Sequence, residues 1–381
     1  MTAETSTAIQ EPKQNRGGLE GVVAATTALS KVEGTAGRLI CRGYNIHDLA
    51  RTTSFEEIAY LLWFGRLPNR TQLVDLKVRL LAERSLPANV LQVLKNLPAT
   101  TEPMDALRTA VSAWGAATIK GQPTLEQAIA VTAHFPVFLA AFHRLRNGLE
   151  PLESHPELGY AANYLYLLNG QVPKEEHVKA LDAYLVLLAD HGMNASTFTA
   201  RIVASTGSDI VSSLVAAIGA LKGPLHGGAP SKVRDMLQAI GTQERAEDWL
   251  KNALTHGERL MGFGHRVYKT EDPRAEELRE LARLADPQEF KLARHVEELA
   301  LALLHEQKPN QRLYTNVEYY SAVLLASVGL PGDMFTPAFA ASRVAGWTAH
   351  ILEQVGNNRL IRPESEYTGP IGLRFVPIEQ R

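Results

Sequence analysis

Apolar residues recur at i, i+3 and i+4 through most of the chain, the spacing that lines one face of a helix. The pattern predicts helices over Phe55–Phe64, Thr124–Leu145, Lys174–Leu188, Asp209–Leu221, Pro230–Ile240, Pro273–Leu284, Lys291–Leu304 and Pro337–Gln354. Thr53-Ser54 supplies an N-cap hydroxyl ahead of the first. Alternation with period 2 is scarce. Its best run is Leu29–Tyr44 (LSKVEGTAGRLICRGY), where Gly34 and Gly37 can turn a short hairpin. Strands and helices do not alternate as in a doubly wound sheet, so the class is all-α with a minor β-hairpin near the N-terminus. Residues 147–157 and 286–290 are polar and contain proline, and they read as connections. The Gly/Pro cluster at 223–230 is a stronger break, and roughly a hundred residues separate it from the next at 329–332, a domain-sized interval.

Composition narrows the picture further. The 381 residues are 45% hydrophobic and 21% charged, as in a folded chain of enzyme size with one large core or two domains. The net charge of −2 gives no reason to expect nucleic acid or an anionic membrane as partner. The single cysteine, Cys41, excludes an intramolecular disulfide and a Cys-rich zinc site. The most apolar runs, Phe135–Phe142 and Leu181–Leu188, fall short of the ~20 residues a bilayer span needs. Pro136 also weakens the first as a spanning helix. The N-terminal MTAETSTAIQEPKQNRGG lacks the apolar core of a secretory signal and carries Glu4 and Glu11. Residues 1–17 therefore read as a disordered tail, and the expected location is cytoplasmic.

Familiar nucleotide and metal signatures are missing. There is no P-loop, no G-x-S-x-G and no H-E-x-x-H, and Gly262-Phe263-Gly264 lacks both the third glycine and the preceding strand of a dinucleotide fingerprint. Four other segments combine histidine, glycine and charge. Asp190–Phe198 (DHGMNASTF) places His191 beside a glycine between two helical stretches. Gly223–Pro230 (GPLHGGAP) sets His226 just ahead of a helix start, where the positive end of the helix dipole favours a neutral imidazole able to donate to a developing enolate oxygen. Met261–Lys269 (MGFGHRVYK) carries His265 and runs on to Asp272-Pro273-Arg274. There the N-cap and N1 proline put Arg274 in a first helical turn, a good carboxylate clamp. Asn316–Tyr320 (NVEYY) places Glu318 at the edge of an apolar helix, where a raised pKa suits a base. Arg343 lies in a mostly apolar helix, costly unless it binds an anion, and Arg362 lies in the loop NNRLIRP.

Taken in order, GLEGV from Gly18, LHGGA, GFGHRVYK…DPRA, FTPAFAASRVAGWTAHILEQ and NNRLIRPESEYTG resemble the citrate synthase family over nearly the whole chain, to Gly369. The resemblance implies an all-α two-domain fold, with residues 18–226 and 326–381 as the large domain and 227–325 as a small one that closes over the substrates. It implies a homodimer whose sites are each completed by the other subunit. His191, His265, Arg274 and Arg343 would hold oxaloacetate, Arg362 would reach in from the partner, and His265 would also polarise the oxaloacetate carbonyl. His226 and Glu318 would enolise acetyl-CoA, and citryl-CoA would then hydrolyse. Arg266 and Lys269 are candidates for the CoA phosphates. No metal or redox cofactor is implied, since acetyl-CoA is a substrate. With GLEGV beginning at Gly18, a dimer without the NADH regulation of longer bacterial members is expected. Three positions depart from the pattern: Glu318 stands where the family usually has Asp, with Ala322 where it often has Gly, and Pro230 follows HGGA where Asn is common. A base displaced by about 1 Å can lose ~10²-fold in rate. The rival readings are a 2-methylcitrate synthase using propionyl-CoA and a catalytically weak homologue.

Overall fold

The computed structural model describes residues 18–381 except Glu20, Gly228, Arg266, Val267, Lys269, Gln311 and Arg312; the tail assigned to residues 1–17 lies outside the described residues. Among them are sixteen α-helices and one three-stranded antiparallel sheet. The sheet comprises β1 (Ser30–Glu33), β2 (Arg38–Cys41) and β3 (Tyr44–Asn45). Its hairpin falls where the period-2 run lies, with Ser30 opposite Cys41 and Glu33 opposite Arg38. Gly37 ends the turn at φ 60°, a left-handed conformation that favours glycine.

Ten helices follow: α1 (Ile46–Thr52), α2 (Phe55–Phe64), α3 (Arg70–Ala82), α4 (Ala88–Lys95), α5 (Pro103–Thr118), α6 (Leu125–Arg146), α7 (Tyr160–Asn169), α8 (Glu175–Leu188), α9 (Ala195–Ser205) and α10 (Ile210–Leu221). After the Gly/Pro cluster come α11 (Ala229–Ile240), α12 (Gln243–Thr255), α13 (Pro273–Ala285), α14 (Pro287–Gln307), α15 (Val317–Ser327) and α16 (Phe335–Gly356). Their starts obey capping chemistry. Ser54 and Glu57 form a reciprocal capping box on α2, and Asp272 caps α13 with Pro273 at N1. The connection expected at 286–290 shrinks to one residue. Asp286 accepts the N–H groups of Gln288 and Glu289 at 2.9 and 3.1 Å, and Pro287 opens α14 at once. A polar, proline-bearing stretch was here a helix start rather than a loop.

Helix α16 is buried along almost its whole length and packs against α2, α6, α8, α9 and α10. Helix α6 is its counterpart. It is long and apolar enough to cross a membrane, longer than the run at 135–142 indicated, but 83% of its most apolar window is buried inside the fold. Pro136 does not break it. Proline removes the N–H that would bond the Thr132 carbonyl, and the Tyr160 hydroxyl stands 3.2 Å from that oxygen instead.

Helices α11 to α15 pack largely on one another, α13 against α15, α12 against α14 and α11 against α15. They meet the remainder chiefly where α13 and α15 lie on α8 and α13 touches α1. One buried apolar cluster continues across that junction, from Leu29 through Leu250 and Leu324 to Ile351. Beyond α16, residues 357–377 form neither helix nor strand. They expose Leu360, Tyr367, Ile371, Leu373 and Phe375, the last at 78%.

Candidate active site

The site forms where α8 and α16 face α13 and α15. Helix α8 ends at Leu188, and the turn that follows is fixed by Asp190. Gly192 adopts φ 58° and donates its N–H to Ser30 Oγ at 2.9 Å, which ties the turn to the hairpin. His191 is thereby held facing the third histidine segment. Its Nε2 is 3.1 Å from the Tyr268 hydroxyl, and its ring centroid is 5.8 Å from that of His265. Burial pushes His191 well below its ordinary value, and Arg274, Arg343, His265 and His226 add to the effect. The imidazole is neutral.

His226 meets a helix N-terminus, but not the one the sequence places after it. Asn194 caps α9, and the N–H of Ser196 in its first turn donates to His226 Nε2 at 3.2 Å. The Ser196 hydroxyl lies 2.8 Å from the same nitrogen and accepts the indole N–H of Trp347 at 3.1 Å. A nitrogen that accepts a backbone N–H carries no proton, so the proton of neutral His226 sits on Nδ1. Burial first, then the Arg343 charge, push His226 down to about 4, with its own backbone carbonyl acting the other way. His265 is the opposite tautomer by the same logic. Its Nδ1 accepts the Tyr268 N–H at 3.0 Å, which places a proton on Nε2.

Helix α13 brings Arg274, which is 3% exposed. Asp272 binds it in a fork, Nε to Oδ1 at 3.0 Å and Nη2 to Oδ2 at 2.8 Å, and caps its backbone N–H as well. Burial opposes the charge on Arg274, but Asp272 overrides it and holds the guanidinium above its ordinary value. Helix α15 brings Glu318, with Asn316 as N-cap. Its Oε2 is buried and has no hydrogen-bond partner among the described residues. Burial raises the carboxyl above its ordinary value, Arg274 pulls it down, and Asp272 pushes it up again. Such a carboxylate is poised to take a proton.

Arg343 does not reach the surface. It is 1% exposed, with Nε donating to the Leu188 carbonyl at 2.7 Å and its guanidinium 4.6 Å from the Phe339 ring centroid. Burial brings it down to about 10, Asp190 opposes that, and Arg274 adds to it. The structure thus brings together His191, His226, His265, Arg274, Glu318 and Arg343, each acting electrostatically on at least one other. It does not bring Arg362 to them. That residue lies in the exposed segment after α16 and lines a groove with Val22, Phe198 and Arg359. Arg266 and Lys269 lie outside the described residues. Four contributors escaped the sequence reading: Ser196, Tyr268, Asp272 as an ion-pair partner, and Asp190. All four lie within or beside the histidine segments, Asp190 next to His191 and Asp272 as the cap before Arg274, but their contacts depend on the tertiary fold.

The family described as citrate synthase, C-terminal domain, matches residues 18–364. The chain is 45% identical over 375 residues to citrate synthase 2 of Bacillus subtilis, with 96% of this chain and 98% of that protein covered. It is 39% identical over 369 residues to 2-methylcitrate synthase of Shewanella oneidensis, covering 96% and 97%. Among solved structures, the ternary complex of carboxymethyl coenzyme A and oxaloacetate with citrate synthase from Thermoplasma acidophilum superposes with a TM-score of 0.89 at 31% identity, covering 95% of this chain and 98% of that one. Fold and relatives together define an all-α acyltransferase that forms carbon–carbon bonds. The chain belongs to the citrate synthase family.

Proposed function

We propose that this cluster condenses oxaloacetate with acetyl-CoA and water to give citrate and CoA, with each residue acting through the protonation state its surroundings impose. Glu318 removes a proton from the acetyl methyl group. The Nδ1 proton of His226 hydrogen-bonds to the enolate oxygen that develops, and His226 stays neutral because of its burial and the nearby Arg343 charge. The Nε2 proton of His265 polarises the oxaloacetate carbonyl. The enolate carbon attacks that carbonyl carbon, and citryl-CoA forms. Water then cleaves the thioester and releases CoA as the thiol. Arg274, Arg343 and His191 hold the dicarboxylate, whose charge offsets the burial of two guanidinium groups. Arg266 and Lys269 remain candidates for the CoA phosphates.

The observation that carries this reading is the contrast between Glu318 and His226. A buried carboxylate oxygen with no partner and a raised pKa shares the Arg274–Arg343 cluster with a histidine locked as a neutral donor. Release of CoA thiol from acetyl-CoA and oxaloacetate tests it. Glu318→Gln is expected to retain oxaloacetate binding and lose turnover; unchanged turnover overturns the assignment of the base. A similar relative named 2-methylcitrate synthase supports a second substrate reading, propionyl-CoA. One extra methylene is worth about 0.8 kcal/mol of burial, so pocket fit decides between the two thioesters. The same assay with propionyl-CoA separates them.

The functional unit in this reading is a homodimer of chains each built from units 18–226 with 326–381, and 227–325. The exposed apolar residues after α16 support it, because such a run gains by burial against a second copy. Arg362 in that segment would then reach the other copy's site. A fully active monomer in sedimentation experiments contradicts this arrangement, and a hexamer contradicts an unregulated dimer.

A further inference from the structure

Behind the site lies a chain of buried polar groups that the reaction as written does not use. Asp190 is 4% exposed. Its Oδ1 accepts the Nε2–H of His350 at 3.1 Å. Its Oδ2 is close to the Ser30 hydroxyl and 3.3 Å from the Gly192 N–H. His350 is fully buried, and its Nδ1 accepts from Arg201 Nη1 at 3.0 Å. Arg201 is anchored in turn by Glu353 at 2.6 Å and Gln354 at 3.0 Å. The arrangement assigns the His350 proton to Nε2 and aims it at Asp190. Helix α16 approaches so closely that a Cβ at Gly346 would fall 2.9 Å from Asp190 Oδ1 and strike the Ala189 carbonyl as well. The carboxylate is therefore clamped from β1, from its own turn and from α16.

We infer that Asp190 is a positioning residue for oxaloacetate: it pins the turn that presents His191 and supplies the fixed negative charge against which Arg343 is held. The inference rests on the proposed roles of His191 and Arg343. Two geometric facts carry it. Asp190 immediately precedes His191, and both its oxygens are bound by groups from outside that turn, so the orientation of His191 follows from that anchorage. Arg343 on α16 donates Nε to Leu188, two residues before Asp190, so the cation is anchored to the segment that carries its counter-charge. The charge relation is reciprocal: burial works against Asp190, while His350, Ser30 and Arg343 hold it ionised. The groups facing Arg343 are Asp190, Tyr184 on α8, Arg274 on α13 and the neutral His191 and His226. Among them Asp190 is the carboxylate.

The test is the steady-state kinetics of Asp190→Asn, with Ser30→Ala as a second variant that leaves the charge in place and loosens the clamp. For Asp190→Asn, kcat/KM for oxaloacetate should fall by about 10²-fold, the cost of a misplacement near 1 Å, with the KM for oxaloacetate raised while the KM for acetyl-CoA stays unchanged. Ser30→Ala should show a smaller rise in the same direction. A pH series of oxaloacetate binding by calorimetry separates positioning from mere support. Arg343 binds only as a cation and already sits low, so removing Asp190 should move the alkaline loss of binding to lower pH. Folded Asp190→Asn with wild-type oxaloacetate KM and an unmoved alkaline limb overturns the inference. If Asp190→Asn does not fold, wild-type oxaloacetate KM in folded Ser30→Ala overturns it. Arg343→Gln is the control. If that variant leaves oxaloacetate KM unchanged, the site assignment fails, a different result from failure of Asp190 alone.

Discussion

Helices α14 and α15 each carry a glutamate with a buried carboxylate oxygen, and the two have opposite fates. Glu297 on α14 is fully buried, and every side of its carboxylate is taken. Thr315 and Tyr320 donate at 2.6 and 2.5 Å, Arg279 at 3.0 Å and Arg294 at 2.7 Å. Burial alone would raise its pKa, but these partners hold the group below its ordinary value. Glu318 on α15 lies near Arg274, yet its Oε2 has no partner among the described residues, and its pKa is raised. Glu297 is the more deeply buried and Glu318 is half-buried, but each has a buried carboxylate oxygen, and the two differ in whether it is saturated. A saturated carboxylate cannot accept a proton without breaking its network, so Glu297 holds three helices together. An unsaturated one loses little on protonation, so Glu318 can serve as a base.

The contrast breaks if the two residues trade effects. Glu318→Gln should lower kcat by ~10²–10⁴-fold with little change in thermal stability, measured by thiol release and by melting. Glu297→Gln should do the reverse, costing about 3–5 kcal/mol in denaturant unfolding while the protein that remains folded turns over normally. Loss of kcat in folded Glu297→Gln would mean that its network is part of the site.

Acid titration sharpens the same point. Glu318 works deprotonated and its pKa is raised, so kcat should fall as pH drops through a value above the ordinary 4.5. His226, at about 4, stays neutral there and does not set that limb. The pKa of Glu297 is depressed in the folded state, so its contribution to stability is present above the ordinary 4.5 and is lost only as pH falls through the lower folded value. Activity should therefore disappear before the fold does, and coincident kcat and circular-dichroism transitions would contradict the distinction. Glu318→Asp shortens the base by one methylene and should remain active, with kcat down by no more than about 10²-fold. The smallest effect should come from Arg294→Ala. Its side chain is 43% exposed, and its loss should cost no more than about 1 kcal/mol of unfolding free energy, with kcat unchanged.

How legible these features were depended on how local their causes are. The eight expected helices all appear within a few residues of their bounds, because apolar period and capping residues act over one or two turns. The hairpin likewise lies where Gly34 and Gly37 allow it. The apolar period does not predict α1, α3, α4, α5, α7, α9 and α12, and it marks α15 only as a short apolar helix beyond Glu318; α3 and α4 are largely exposed, with few buried positions to mark a face.

At the site, the residue types that do chemistry stood out in the sequence, but their states did not. His226 acts on the N-terminus of α9, thirty residues earlier, rather than on the helix that follows it. Arg274 was legible as a clamp, but its fork to Asp272 was not. Arg343 could have turned to solvent or stayed inside, and only the packing of Phe339 and the Leu188 carbonyl decided the matter.

The sequence by itself determined the helical class, the minor hairpin, the family, and the histidines, arginines and carboxylate available for the reaction. These follow from local periodicity, capping and ordered motifs. Tertiary structure alone decided which carboxylate is saturated and which is not, which nitrogen of each histidine holds the proton, and that Asp190 stands behind Arg343. Burial and hydrogen-bond partnership bring together residues far apart in the chain, Asp190 and His350 across 160 positions among them, and those are the quantities that set a protonation state.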